Sequence, residues 1–346
     1  MTISKYNSSK ITVLNGILIM MVLYIHCFYN EGCNSPVSYA VQRFMGTSGL
    51  MGIAVLLFFA ISGFLFFNEM RSIGDCFPKI KKRIHSLFIP YIIWNVIFVG
   101  WYVALKFLPG VSSFVNGDIL QRIDNLYEGG YYLFIAPANF ALWFLRDLIV
   151  FVICSPLIYI LIKFFKWWVM PLIIIVAYFF SLVGFCYFVL GGCVALCSSL
   201  ENIARVSNKY IVVLCAMTYM SMSVYLALQP FEKGIFSYNW GLTMVHDLTG
   251  IITIWRGYDI LFKDRILTEI KWVKIACGYS FFVYLFHEPT LNIIKKIPLR
   301  LLGESEIVII VLFLINPFIM YTVAVLVAKM FQCIIPRVYG VLVGGR

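Results

Sequence analysis

Charge is scarce in this sequence. Asp, Glu, Lys and Arg make up 12% of the 346 residues, whereas a soluble globular domain carries roughly a quarter. A surface that poor in charge does not dissolve in water, so a soluble enzyme with an oily interior is excluded. A polar block long enough to fold by itself is missing too, because apolar stretches recur from residue 11 to residue 335. The length alone would allow two soluble domains, but a single membrane domain over 1–346 is expected. The ten cysteines contain no zinc-type Cys-x-x-Cys pair, so no metal is expected and the thiols read as small buried hydrophobes. Cys27 and Cys33, which flank one loop, are the pair placed for a disulfide. Internal repeats and low-complexity segments are absent as well, which weighs against a transporter built from paired halves. The N-terminal apolar run lacks the small residues of a cleavage site and reads as a retained first span.

What the chain has in quantity is apolar surface, at 62% hydrophobic and 17% aromatic residues. A helix needs about 20 apolar residues to cross a hydrocarbon core about 30 Å thick. About ten segments qualify, at 11–29, 48–68, 86–107, 139–162, 167–182, 184–200, 210–228, 241–260, 275–294 and 306–334. The pair around Ser181 to Gly184 also reads as one broken hairpin. The predicted fold class is all-α, a polytopic transmembrane bundle in the cell membrane. The formal net charge of +11 sits in short connections between apolar runs, so it reports topology and not nucleic acid. Basic residues concentrate in alternate connections, which puts both termini on the cytoplasmic side. The long outer loop from Leu108 to Ala138 carries Asp118, Asp124 and Glu128 and is a place to meet an acceptor.

Ionisable residues inside a span cost roughly 2.5–3.5 kcal/mol on insertion scales unless paired or hydrated, so they mark interiors or pathways. His26 comes about 15 residues into the first span, which places it about 22 Å up, near the outer end. His287 on the ninth span, His246 and Asp247 on the eighth, and Trp143, Arg146 and Asp147 on the fourth fall at similar depth. These groups are expected to converge in one outer-leaflet cavity, although depth does not say which helix faces which. At the inner edge, Lys79-Ile-Lys-Lys-Arg83 leads into the third span. Basic residues just beneath a helical bundle can bind phosphates, but positive-inside topology is the favoured explanation of the same charges. Ser62 and Gly63, in Phe58-Phe-Ala-Ile-Ser-Gly-Phe64, read either as site residues or as a notch for close helix packing.

Taken in order, Leu14-Asn-Gly-Ile17 before His26, then Phe58 to Phe64, the basic run ending at Arg83 with Pro90-Tyr91, then Leu142-Trp-Phe-Leu145 and Tyr284-Leu-Phe-His287, the chain resembles the acyltransferase-3 family of integral membrane acyltransferases. The resemblance covers nearly the whole chain. It implies transfer of an acyl group from cytoplasmic acyl-coenzyme A to an acceptor hydroxyl, commonly on a sugar, near the outer face. It also implies that His26 is the histidine essential for transfer, and that Lys79, Lys82 and Arg83 lie at the coenzyme A entrance. One departure stands out. The family usually has arginine eleven positions before that histidine, where this chain has Asn15, an amide that donates hydrogen bonds but carries no fixed charge.

A sugar hydroxyl is a poor nucleophile at neutral pH, so an imidazole is the expected general base. His26 is the first choice for it. The thioester carbonyl gains negative charge in the same step and needs preorganised donors, for which Asn15, Ser62, Trp143 and Arg146 are available. The leading expectation is O-acyl transfer, with acetyl the expected group, from acetyl-coenzyme A to a surface glycan or its lipid-linked precursor, among membrane lipids. Two readings compete with it: a transporter or flippase for an amphiphilic or polyprenyl-linked solute, and a catalytically silent relative that binds a donor or partner.

Overall fold

The computed structural model describes residues 3–29, 36–46, 49–107, 126–200, 202–203, 208–228, 240–263 and 265–345. Asp118, Asp124, Cys33 and Lys233 lie outside these residues. The helices are α1 (Lys5–His26), α2 (Pro36–Met45), α3 (Ala54–Phe67), α4 (Cys76–Phe107), α5 (Leu126–Phe134), α6 (Trp143–Ile153), α7 (Ser155–Phe165), α8 (Val169–Phe180), α9 (Val183–Cys197), α10 (Lys209–Leu228), α11 (Trp240–Phe262), α12 (Lys271–Gly278), α13 (Ser280–Leu302), α14 (Glu306–Ile334) and α15 (Pro336–Leu342). No strand occurs among the described residues.

Five helical stretches are long and apolar enough to cross a membrane: Lys5–His26, Ile73–Leu105, Ser155–Phe180, Lys209–Leu228 and Glu306–Ile334. Helices α3 and α9 are apolar but only 14 and 15 residues long. At 1.5 Å per residue each covers a little over 20 Å, short of the hydrocarbon core. Helices α11 and α13 have 23 residues each, enough length, but they carry His246, Asp247, Arg256 and Asp259, and His287, Glu288, Lys295 and Lys296 respectively. Large apolar side chains such as Phe164, Trp168, Phe179 and Trp272 stand exposed. Water would not tolerate a surface of this kind, whereas lipid favours it.

The centre of the bundle is the pair α3 and α9, which approach backbone to backbone. A Cβ at Gly63 would lie 2.0 Å from the Phe188 carbonyl oxygen, and one at Gly191 2.0 Å from that of Ala60. Ser62-Gly63 therefore contributes a packing notch: Gly63 allows the approach, while Ser62 faces a cavity. Phe59, Phe66, Phe67, Phe151 and Phe188 interlock around this contact.

Several expected boundaries shift for local reasons. The stretch from Trp143 to Phe165 breaks at Cys154, where Pro156 in the first turn of α7 supplies no amide donor. Ser181 adopts a left-handed conformation between α8 and α9, and the two helices pack on each other as the broken hairpin foreseen around Ser181 to Gly184. The expected loop after the first span contains α2, an amphipathic helix packed on α10 and α14. Arg43 is buried there and donates to the Leu226 carbonyl at 3.0 Å. The basic run 79–83 belongs to the same continuous helix as the apolar segment that follows it, α4.

Candidate functional site

Helix α1 carries His26 on its last turn, and the segment beyond is pinned from three sides. The Tyr29 amide donates to Gln42 Oε1 (2.7 Å), Asn316 Nδ2 donates to the Tyr29 hydroxyl (2.5 Å), and Lys295 Nζ donates to the carbonyls of Phe28 (2.7 Å) and His26 (3.2 Å). A cation at a helix C-terminus satisfies exposed carbonyls and complements the helix dipole. The His26 ring is thus held on a fixed helix end. Lys295, whose charge reads from sequence as loop topology, is one of the groups that hold it.

Against His26 stands His287, with ring centroids 4.9 Å apart. His287 is fully buried, and its Nδ1–H donates to the Tyr284 carbonyl (2.5 Å), which fixes the tautomer and leaves Nε2 a lone pair. Helix α13 is broken just beyond, because Glu288 precedes Pro289 and takes an extended conformation (φ −103°, ψ 130°). Tyr284 in turn donates to the Ala141 carbonyl (2.7 Å). That bond ties the histidine pair to the start of α6, which Asn139 organises by accepting from the Ala141 amide and receiving support from buried Asn95.

Two cavities share the His26 position. The first, of about 170 Å³, is lined by Asn15, His26, Ser62, Arg83, Trp143 and Tyr284 together with apolar side chains. Asn15 and His26 are eleven positions apart on one helix, about 16 Å along its axis, so this cavity is long and narrow. Among the described residues lining it, Arg83 carries the one fixed charge. The second, of about 510 Å³, is lined by His26, Trp143, Asp147, Tyr187, His246 and Asp247, with Phe59, Phe140 and Phe151 among the apolar walls. Both include Val22, His26, Val55 and Trp143.

Not every side chain singled out from the sequence lies at these cavities. Helix α4 explains the basic run: Lys79 and Arg83 are four positions apart and share a face, whereas Lys82 is turned away and exposed. Lys79 donates to the carbonyls of Phe66 (2.8 Å) and Asn68 (2.5 Å), capping α3. Arg83 alone of the three reaches the first cavity. Arg146, weighed as a donor to a developing oxyanion, is instead engaged with Asp147 Oδ1 (2.8 Å from Nε) and the Ile135 carbonyl (2.8 Å), and it does not line either cavity. Asn15, Ser62 and Trp143 are lining residues. Cys27 is buried as a free thiol. Among the described residues no group of three or more His, Cys, Asp or Glu side chains is arranged to hold a metal ion.

Sequence reasoning brought His246 and Asp247 to the cavity of His26 but did not identify their partners. Ser223, on α10, donates to the Tyr219 carbonyl (2.8 Å) and lies 3.0 Å from His246 Nε2, while His246 Nδ1 lies 3.1 Å from Asp247 Oδ1 and the Tyr187 hydroxyl donates to Asp247 Oδ2 (3.3 Å). The string looks like a hydrolytic Ser-His-Asp triad. Its hydrogen bonding argues otherwise: Ser223 is fully buried and its proton is committed to Tyr219, so its oxygen accepts the imidazole N–H instead of attacking anything.

An all-helical bundle with lipid-type surfaces, holding two cavities beside a paired histidine, defines a helical membrane protein. The family of the acyltransferase domain known as acyltransferase-3 matches residues 9–335, and the chain belongs to that family. A relative, the succinoglycan biosynthesis protein ExoH of Rhizobium meliloti (strain 1021), is 23% identical over 98% of this chain and 92% of its own length. No solved structure matches the chain. Family membership favours acyl transfer over the transport reading.

Proposed function

We propose that this chain is a multi-pass inner-membrane O-acyltransferase that moves an acetyl group from acetyl-coenzyme A to a hydroxyl of a surface carbohydrate or its lipid-linked precursor. The observation that carries the proposal is the first cavity, whose lining joins Asn15 and His26, eleven positions apart on α1, to Arg83 of α4. A narrow, largely apolar passage suits the linear arm of an acyl thioester, and a guanidinium at its mouth suits the phosphates of the donor. The positive-inside pattern supports placing that mouth on the cytoplasmic side and the second cavity on the outer side. The relative named for succinoglycan biosynthesis supports a polysaccharide acceptor.

In this reading His26 takes the proton of the acceptor hydroxyl as its oxygen attacks the thioester carbonyl. The carbon–sulfur bond breaks, and the proton passes to the departing coenzyme A thiolate. Trp143 Nε1 and the side chains of Asn15 and Ser62 are the lining donors for the carbonyl oxygen and the arm. His287 acts through His26, as a positioning residue. Arg83 supplies within the same cavity a positive charge that Asn15 does not.

The test is transfer of radiolabel from acetyl-coenzyme A to candidate glycans by the reconstituted protein. Label should reach glycan with the native chain. His26→Ala should lower transfer by at least about 100-fold, within the range for loss of a general base, while the variant still inserts and folds. Normal transfer by that variant removes His26 from the mechanism. Coenzyme A binding without thioester consumption by the native chain would mark it as a silent relative.

A further inference from the structure

We propose that Asp247, held by His246 and Tyr187, is the specificity-determining residue of the second cavity and selects an uncharged, hydroxyl-rich sugar ring as acceptor. The inference rests on the acyltransferase reading in taking that cavity as the acceptor site, and it adds what the site recognises and by which group.

The argument is one of hydrogen-bond supply. Ser223 has given its proton to the Tyr219 carbonyl, so the contact to His246 is made by an imidazole N–H at Nε2. His246 Nδ1 and Asp247 Oδ1 share one proton across 3.1 Å. Both imidazole nitrogens are therefore occupied, and His246 offers no donor to a ligand. It serves instead to fix the carboxyl, which Tyr187 steadies from α9. The other carboxylate of the lining, Asp147, receives Arg146 at Oδ1. The guanidinium itself is spent there and on the Ile135 carbonyl, and it is not part of the wall.

Among the described residues of the wall, the paired groups His246–Asp247 and Asp147–Arg146 thus leave no uncompensated positive charge and present carboxyl oxygens as hydrogen-bond acceptors. A ligand that meets it must bring donors. Sugar hydroxyls do so, whereas the carboxylate of a uronic acid adds acceptors and meets no uncompensated cation that could receive it. Five aromatic side chains, Phe59, Phe140, Trp143, Phe151 and Tyr187, share the rest of the lining with aliphatic residues and with Ser181 and Thr243. Aromatic faces pack on the apolar C–H face of a pyranose ring while a carboxyl at the edge takes its hydroxyls. A cavity of about 510 Å³ has room for a saccharide residue with part of its neighbour.

The experiment uses the full chain in nanodiscs, with isotopically labelled glucose tetrasaccharide and glucuronic acid tetrasaccharide of the same linkage, and equilibrium dialysis to measure Kd. The native chain should bind the neutral oligosaccharide at least tenfold more tightly. Asp247→Asn, which keeps volume but removes the carboxylate, should weaken neutral binding about tenfold and leave the anionic oligosaccharide bound as well or better, so that the selectivity ratio collapses. A merely structural role would weaken both alike. Tyr187→Phe, a milder change, should lower neutral affinity about threefold and serves where Asp247→Asn does not fold. Equal binding of the two saccharides, binding of neither, or an unchanged ratio in both variants overturns the inference. Neutral binding that depends on Asp247 but is never followed by acetyl transfer would instead overturn the acyltransferase reading and leave the saccharide site standing.

Discussion

The histidine pair shows how much of a reactive group's behaviour is set by atoms that never touch substrate. His26 lies on the last turn of a helix whose end Lys295 caps by donating to the carbonyls of His26 and Phe28. A charged donor to a partly buried carbonyl stabilises by roughly 1.5–3 kcal/mol. Lys295→Met should therefore lower unfolding free energy by about 1–2 kcal/mol and reduce kcat several-fold with little change in KM for the donor, because the helix end that presents His26 is loosened and the Arg83 mouth is not. Equilibrium denaturation and steady-state kinetics check both parts. A variant with native stability and native kcat would show that the cap is incidental. That His26, Trp143, His246 and Asp247 come to one cavity was legible in the sequence, because rise per residue is constant along any helix and sets them at matching heights. Rotation was not. Arg146 falls at the right depth yet turns to Asp147, and Lys82 lies beside Arg83 in sequence but a third of a turn away in space. The neighbours that decide such orientations, Ile135 and Phe66 among them, come from other helices.

At the scale of elements, the contact of α3 with α9 is the part of the bundle least tolerant of change. Without a solvent-driven hydrophobic effect inside lipid, helices associate by close packing, which small residues permit. Gly63→Ala would place a methyl against the Phe188 carbonyl, a backbone atom with no freedom to move aside. Overpacking of this kind costs about 1–3 kcal/mol, occasionally more. Thermal unfolding in detergent should show a marked loss for Gly63→Ala, whereas Gly100→Ala, which meets nothing within 4 Å, should behave as native. Equal effects at both positions would contradict the packing account. Apolar segments announced most of the helices because hydropathy and the membrane act on the same quantity. The short amphipathic α2 escaped, since ten residues with Ser38, Gln42 and Arg43 turned inward look like a loop until their partners, Tyr29 and Leu226, are seen.

For the whole molecule, two cavities meet at His26, and in the proposed reading each holds one of the two substrates. Arg83 stands on α4 in the first cavity, and Asp247 stands on α11 in the second. Donor and acceptor would thus approach from different sides of the membrane and encounter each other only at the imidazole. Of the residues that carry the resemblance, His26, Arg83 and Tyr284 line the first cavity, whereas His287 lies behind His26. The Ser223, His246, Asp247 and Tyr187 string had no local signature, because three helices far apart in sequence supply it.

The most direct measurement is an electron cryomicroscopy structure of the native chain in nanodiscs with a non-hydrolysable thioether analogue of acetyl-coenzyme A. The account predicts nucleotide phosphates beside Arg83, the pantetheine arm passing Asn15 and Ser62, and the thioether sulfur within reach of His26. Density for the nucleotide elsewhere on the protein, with the passage past Ser62 closed, would contradict it.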